Sequence, residues 1–167
     1  MCRSAVNTNK AMPEHPPVES RAWLLLGPVK SLPGALLWDG QRVTFVACGT
    51  GSFSESDLRE IAEANALPAE ACESIFAEKP TPLIVATPAE ISGVKMPWYY
   101  FKGGIQITVR NHGYKFSFIR PQNTVEPTYY LEDQFRWTGG AGQEDVDIAG
   151  GKTAGAKWKQ LLTALTQ

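Results

Sequence analysis

Gly151-Lys152-Thr153 carries the residue types with which a phosphate-binding loop holds a nucleotide: a lysine for the terminal phosphates and a hydroxyl for a magnesium ion. The full motif needs a further glycine five positions before Gly151, where this chain has Val146, and no strand pattern leads into it. The stretch reads instead as a glycine-rich helix start. Gly49-Thr50-Gly51-Ser52-Phe53-Ser54 begins like a dinucleotide-binding turn but has Ser54 where the third glycine belongs. His15 and His112 have no cysteine or carboxylate at ligand spacing, so a structural or solvent-facing role is expected for both. Glu132-Asp133 and Glu144-Asp145 are sequence neighbours, which do not face each other, and read as solvated loop charge. The chain contains no HExxH or GxSxG run. No catalytic residue, metal site or cofactor is expected, and the chain reads as a non-enzyme.

Two other groups of residues could bind rather than react. The stretch MPWYYFKGG, residues 96–104, places Trp98, Tyr99, Tyr100 and Phe101 in a row. On an extended strand Trp98 and Tyr100 share one face while Tyr99 and Phe101 share the other, so the four rings cannot form one platform. One pair is expected in the core. The other is covered within the fold or, through Trp98 or Tyr99, offers an aromatic binding face. Charge supplies the second group. Residues 55–79 contain seven acidic side chains against Arg59 and Lys79, whereas residues 91–125 contain Lys95, Lys102, Arg110, Lys115 and Arg120 with no acid. Lys102, Arg110 and Lys115 are the candidate basic hairpin face, suited to an acidic protein partner or an anionic lipid surface. Five dispersed cations are too few for nucleic acid.

These residues sit in a chain of 167 with net charge −1, long enough for one domain with a real core and too weakly charged to be drawn to polyanions as a whole. Cys2, Cys48 and Cys72 are odd in number and widely spaced, which fits a reduced, cytoplasmic setting better than a disulfide framework. Residues 1–20 have no apolar core of a signal peptide and read as a disordered tail, and the run AWLLL at 22–26 is far too short to span a membrane.

The positioning elements follow from periodicity. RAWLLLGPVK reads as a first strand broken at Gly27-Pro28. GALLW and QRVTFVAC flank Asp39-Gly40, which predicts a type I′ hairpin turn and puts Val43, Phe45 and Ala47 on one face. Residues 54–79 form a two-helix insertion. Ser54 or Ser56 caps the first helix, Pro68 starts the second, and Ala71, Cys72, Ile75 and Phe76 make the second helix's apolar stripe. Lys79-Pro80-Thr81-Pro82 ends it, and LIVAT and EISGVKMPWYYF read as strands around Pro88. GIQITVR and YKFSFIR form a one-face-buried hairpin through Asn111-His112-Gly113, with Tyr114, Phe116 and Phe118 inward. Residues 121–151 show little pattern beyond a short strand at 129–131. Trp158, Leu161, Leu162 and Leu165 make 151–166 an amphipathic C-terminal helix with Lys157 and Lys159 outward.

Antiparallel strands closed by a C-terminal helix bearing a tryptophan resemble the pleckstrin-homology-like and GRAM-like domains. Residues 34–45, GALLWDGQRVTF, resemble the first hairpin of that group, and Pro88-Ala89-Glu90-Ile91-Ser92-Gly93-Val94 resembles one of its later strands. The resemblance covers roughly residues 22–120 and the last helix. It implies a mainly β fold over 21–167, an antiparallel barrel or roll of about seven strands, with 54–79 inserted and 151–166 capping an open end. It also implies a non-catalytic module that engages a protein or peptide partner, with self-association as one form of this and peripheral binding to anionic lipid as the alternative. The first hairpin loop, Asp39-Gly40-Gln41-Arg42, lacks the basic cluster of lipid-headgroup-binding members, so no functional residue is transferred.

Overall fold

Alternating apolar residues build seven strands, and the computed structural model, which describes residues 15–97, 102–122, 124–126 and 148–167, joins them into one antiparallel sheet. The strands are β1 (Val18–Leu26), β2 (Lys30–Trp38), β3 (Val43–Ala47), β4 (Thr81–Ala86), β5 (Ile91–Lys95), β6 (Gly104–Val109) and β7 (His112–Ser117). Their order in the sheet is β4-β3-β2-β1-β7-β6-β5. Helices α1 (Glu55–Ala64) and α2 (Ala69–Phe76) lie between β3 and β4, within the expected insertion, and α3 (Ile148–Leu165) ends the chain. Trp98 and Tyr99, the candidate aromatic face, and the short strand read at 129–131 lie outside the described residues.

The inner face of the sheet is the core. Leu24, Leu36, Phe45, Ile84, Ile107 and Phe116 are almost fully buried there, and Phe45 and Phe116 pack with ring centroids 5.2 Å apart. At β1 and β2 the opposite face is covered as well: Trp23 and Ala35 are each 1% exposed. Part of that cover is the segment after β7, which reaches back and accepts hydrogen bonds on this face. Ser31 Oγ lies 3.2 Å from Thr124 Oγ1, and the Trp23 indole donates to Glu126 at 3.2 Å.

The sheet is not closed into a barrel, contrary to one form of the expectation, because β4 and β5 are both edge strands with no ladder between them. A single 3-10 turn at Pro88–Glu90 joins them. The edge position also explains Pro82, read as a terminator yet lying inside β4: it is exposed on a strand with one free side, where the missing N–H costs no ladder bond. Pairing with β3 slips between Phe45 and Val46, and the resulting bulge lets Leu83 and Ile84, adjacent in sequence, both be buried.

Both hairpin turns differ from the sequence reading. Trp38 pairs with Val43, so the β2–β3 loop is Asp39–Arg42, and among its residues only Gly40 has positive φ (97°). Asp39 sets this loop through its side chain, whose Oδ1 accepts from the N–H groups of Gln41 (2.8 Å) and Arg42 (2.7 Å). The β6–β7 turn is Arg110-Asn111, with φ of 47° and 69°, because Val109 pairs with His112. It is this turn that has positive φ at both central positions. His112 and Gly113 therefore belong to β7. At the other end of the chain β1 starts at Val18, inside the stretch read as tail, since Val18, Glu19 and Ser20 pair with Trp38, Leu37 and Leu36.

Helix α1 is capped by Ser54 with Asp57 completing a reciprocal capping box, and it buries Leu58 and Ala62. In α2 the stripe is Ala71, Cys72 and Ile75; Phe76 lies a further 100° round the helix and is 47% exposed. Helix α3 begins at Ile148, three residues before the expected start, and so places Gly151 and Gly155 one turn apart on its buried face. A Cβ on Gly155 would lie 2.3 Å from the carbonyl oxygen of Lys102, and one on Gly151 would lie 2.4 Å from Ile119 Cγ1. The nucleotide-loop look-alike is thus a close-packing device. It seats Trp158 against Phe118, with rings 6.4 Å apart and nearly parallel.

Candidate functional site

β1 and β7 pair only over Trp23–Leu25 and Lys115–Ser117. Beyond Leu25 and Lys115 the two strands diverge, and α1 lies over the gap. The result is a cleft of about 380 Å³, within the range of ligand-sized pockets. Leu24, Phe53, Ile61 and Tyr114 supply its apolar surface. Asp57, Glu60 and Glu63 of α1 line one side, and His112 and Gly113 of β7 the other. Leu26, 39% exposed, stands at the mouth, and the turn that follows presents Val29 at 67% exposure.

The acidic side is asymmetric in charge. Asp57 is held by Lys30 Nζ at 2.7 Å and by the Ser54 N–H at 2.8 Å, with the carboxylate 15% exposed. The Lys30 contact first, then the Ser54 N–H, pull its pKa down to about 2. Glu60 and Glu63 are exposed and enter no ion pair among the described residues. The nearby cation Arg59 is committed to Glu55.

The inner end of the cleft is fixed by a polar network. The hydroxyl of Tyr114, a buried residue of β7, accepts from Asn65 Nδ2 at 2.9 Å, and burial raises its pKa. Asn65 is the C-cap of α1. Its Oδ1 accepts from Arg110 NH2 at 2.5 Å, while Arg110 NH1 donates to Glu90 Oε1 at 3.0 Å and to the Val85 carbonyl at 3.1 Å. The Thr87 N–H and then Arg110 hold the Glu90 carboxyl below its usual range. Arg110 thereby ties the α1 terminus, edge strand β4 and the 3-10 turn to the hairpin tip.

The structure does not bring the sequence-predicted basic residues together. Lys102 precedes β6 and Arg110 follows it, so they stand at opposite ends of a strand about 20 Å long. Lys102, with φ of 64°, turns the chain beneath α3, and Arg110 is engaged internally. Lys115 is exposed on the outer face of β7. There it shares a cross-strand row with Gln106 and Lys95, a residue outside the expected set. The cleft draws its lining from segments far apart in sequence. The acid surplus of 55–79 was visible, but that Glu60 and Glu63 stand over the β1–β7 divergence follows from sheet order, which no local pattern states.

No helix among the described residues is long and apolar enough to cross a membrane. Compared with family models, curated proteins and solved structures, the chain matches none, so these comparisons lend no support to a pleckstrin-homology-like or GRAM-like membership.

Proposed function

We propose that the chain is a non-catalytic binding module for a protein or peptide partner, built on a pleckstrin-homology-like roll. The observation that carries this reading is the cleft between α1 and the diverging ends of β1 and β7, with the partly exposed Leu26 at its mouth. Apolar surface left open beside a shaped recess is a common mark of a protein-interaction site. The strand order followed by a packed C-terminal helix supports the roll, which remains an analogy of fold and carries no function by itself. The buried thiol of Cys72 accords with a cytoplasmic setting.

Selection from a displayed random-peptide library with the purified chain tests the reading. Enrichment is expected, with binding abolished by Leu26→Asp while the thermal midpoint is retained. No enrichment, or equal binding by the variant, overturns it. Sedimentation of the same sample shows whether the partner is a second copy. Peripheral binding to anionic lipid stays as a second reading because Lys95 and Lys115 share the outer sheet face. Flotation with phosphatidylserine vesicles at low salt decides it, and a chain that stays with the unbound fraction ends that reading.

A further inference from the structure

We infer that the cleft takes a segment of a partner polypeptide in which a lysine or arginine is flanked by apolar side chains, with the cation held by Glu60 and Glu63. This rests on the binding-module reading and adds the chemistry of the occupant. The charge pattern of α1 supplies the first reason. Residues 57, 60, 61 and 64 share one face of a helix, so Asp57 and Glu60 follow one another along the same wall, with Glu63 at its margin. Asp57 is neutralised by Lys30, whereas Glu60 and Glu63 have no countercharge among the described residues. Two unneutralised carboxylates beside an apolar recess favour a cation and repel an anionic peptide or a phosphate-bearing ligand.

The apolar surface supplies the second reason. Leu24 and Tyr114 are buried at the base of the recess, and Ile61 is partly buried on its wall. An incoming aliphatic group therefore meets an apolar lining only one helical turn from the carboxylates. The third reason separates a polypeptide from a small amine. The apolar lining runs out to the surface at Leu26, which borders the cleft and is 39% exposed, so the recess is open along the β1 edge. An extended segment would also run alongside the stretch where β1 and β7 have parted.

The test uses the full chain and fluorescein-labelled synthetic peptides taken from the library selection, each made in three forms. One form keeps the cation, one carries citrulline or norleucine in its place, and one carries glutamate. Affinity is expected to fall about fivefold to tenfold on removing the cation, and further with glutamate. The double variant Glu60→Gln/Glu63→Gln is expected to lose a similar factor for the cationic form only, and to bind the cationic and norleucine forms alike. Both side chains are exposed, so the variant's unfolding midpoint should match the parent's. Peptides that bind equally with and without the cation, or equally to parent and Gln variant while Leu26→Asp abolishes binding, overturn this inference and leave the binding module standing. A library that yields no binder overturns both.

Discussion

The indole Nε1–H of Trp158 donates to Ser20 Oγ at 3.0 Å, a fully buried hydrogen bond between residues 138 positions apart. It joins the C-terminal helix to the start of β1 and satisfies the polar end of a ring that is 0% exposed. Ser20→Ala should leave that N–H buried and unpaired, costing about 1–3 kcal/mol. Urea unfolding would register this as a lower midpoint with an unchanged slope. Ser20→Thr, which restores an acceptor, should recover part of the loss. A midpoint for Ser20→Ala equal to the parent's would show that the bond contributes nothing.

Gly155→Ala gives a prediction in which two effects oppose each other. Helix propensity alone favours alanine over glycine by about 1 kcal/mol. The new Cβ would, however, meet the Lys102 carbonyl at 2.3 Å, and backbone cannot swing aside as a flexible side chain can. Overpacking of this kind costs about 1–3 kcal/mol and should win, so the variant is expected to be less stable than the parent. Gly151→Ala should behave likewise against the Phe118 carbonyl at 2.9 Å. Lys152→Ala, on the exposed side of the same turn, should be neutral or slightly stabilising. Thermal or chemical unfolding of the three variants reads the order directly.

How much of this was legible in the sequence depended on whether a feature was local. Ser54 followed three residues later by Asp57 announces the α1 cap, and the alternation of Tyr114, Phe116 and Phe118 announces the inner face of β7. The β6–β7 turn is harder to read, because positive φ favours glycine and the nearest glycine is not where the chain turns. Gly113 lies in β7, and the left-handed residues are Arg110 and Asn111. Arg110 is an unlikely choice on propensity and is retained by acceptors at 65, 85 and 90, none of them near in sequence. The cleft was illegible for the same reason. Leu26 and Glu60 come together only because β1 sits beside β7 and the insertion folds back over their ends.

The Lys30–Asp57 pair predicts a pH dependence. The folded-state pKa of Asp57, about 2, lies below the usual 3.8, so the folded state binds the proton less readily than the unfolded chain does. The associated stability is present above about pH 4 and is lost as pH falls toward 2. The 2.7 Å contact is partly open to solvent, with Lys30 40% exposed, so screening limits the effect to about 1 kcal/mol. Asp57→Asn should be less stable than the parent at pH 6, and the gap should narrow between pH 4 and 2. Unfolding midpoints measured across that range would refute the assignment by giving parallel curves.

Arg110 combines a backbone penalty with a side-chain gain, and the two separate by substitution. An L-residue other than Asn or Asp pays about 1–2 kcal/mol in the left-handed region, where Arg110 sits at φ 47°. Its guanidinium offsets this through Asn65, Glu90 and the Val85 carbonyl, an acceptor on an edge strand. Arg110→Ala keeps the strained backbone and loses the network, so a loss of about 2–3 kcal/mol is expected. Arg110→Gly relieves the backbone and should be about 1 kcal/mol less damaging than alanine. Arg110→Lys retains charge but lacks the planar fork that reaches three acceptors, and should fall closer to alanine than to the parent. A double-mutant cycle with Asn65→Ala should return a coupling of about 0.5–1.5 kcal/mol, since the amide bridges Arg110 to the Tyr114 hydroxyl. If the glycine variant matches or exceeds the parent in stability, the network contributes less than the strain it holds, and another contact must fix the hairpin tip to α1.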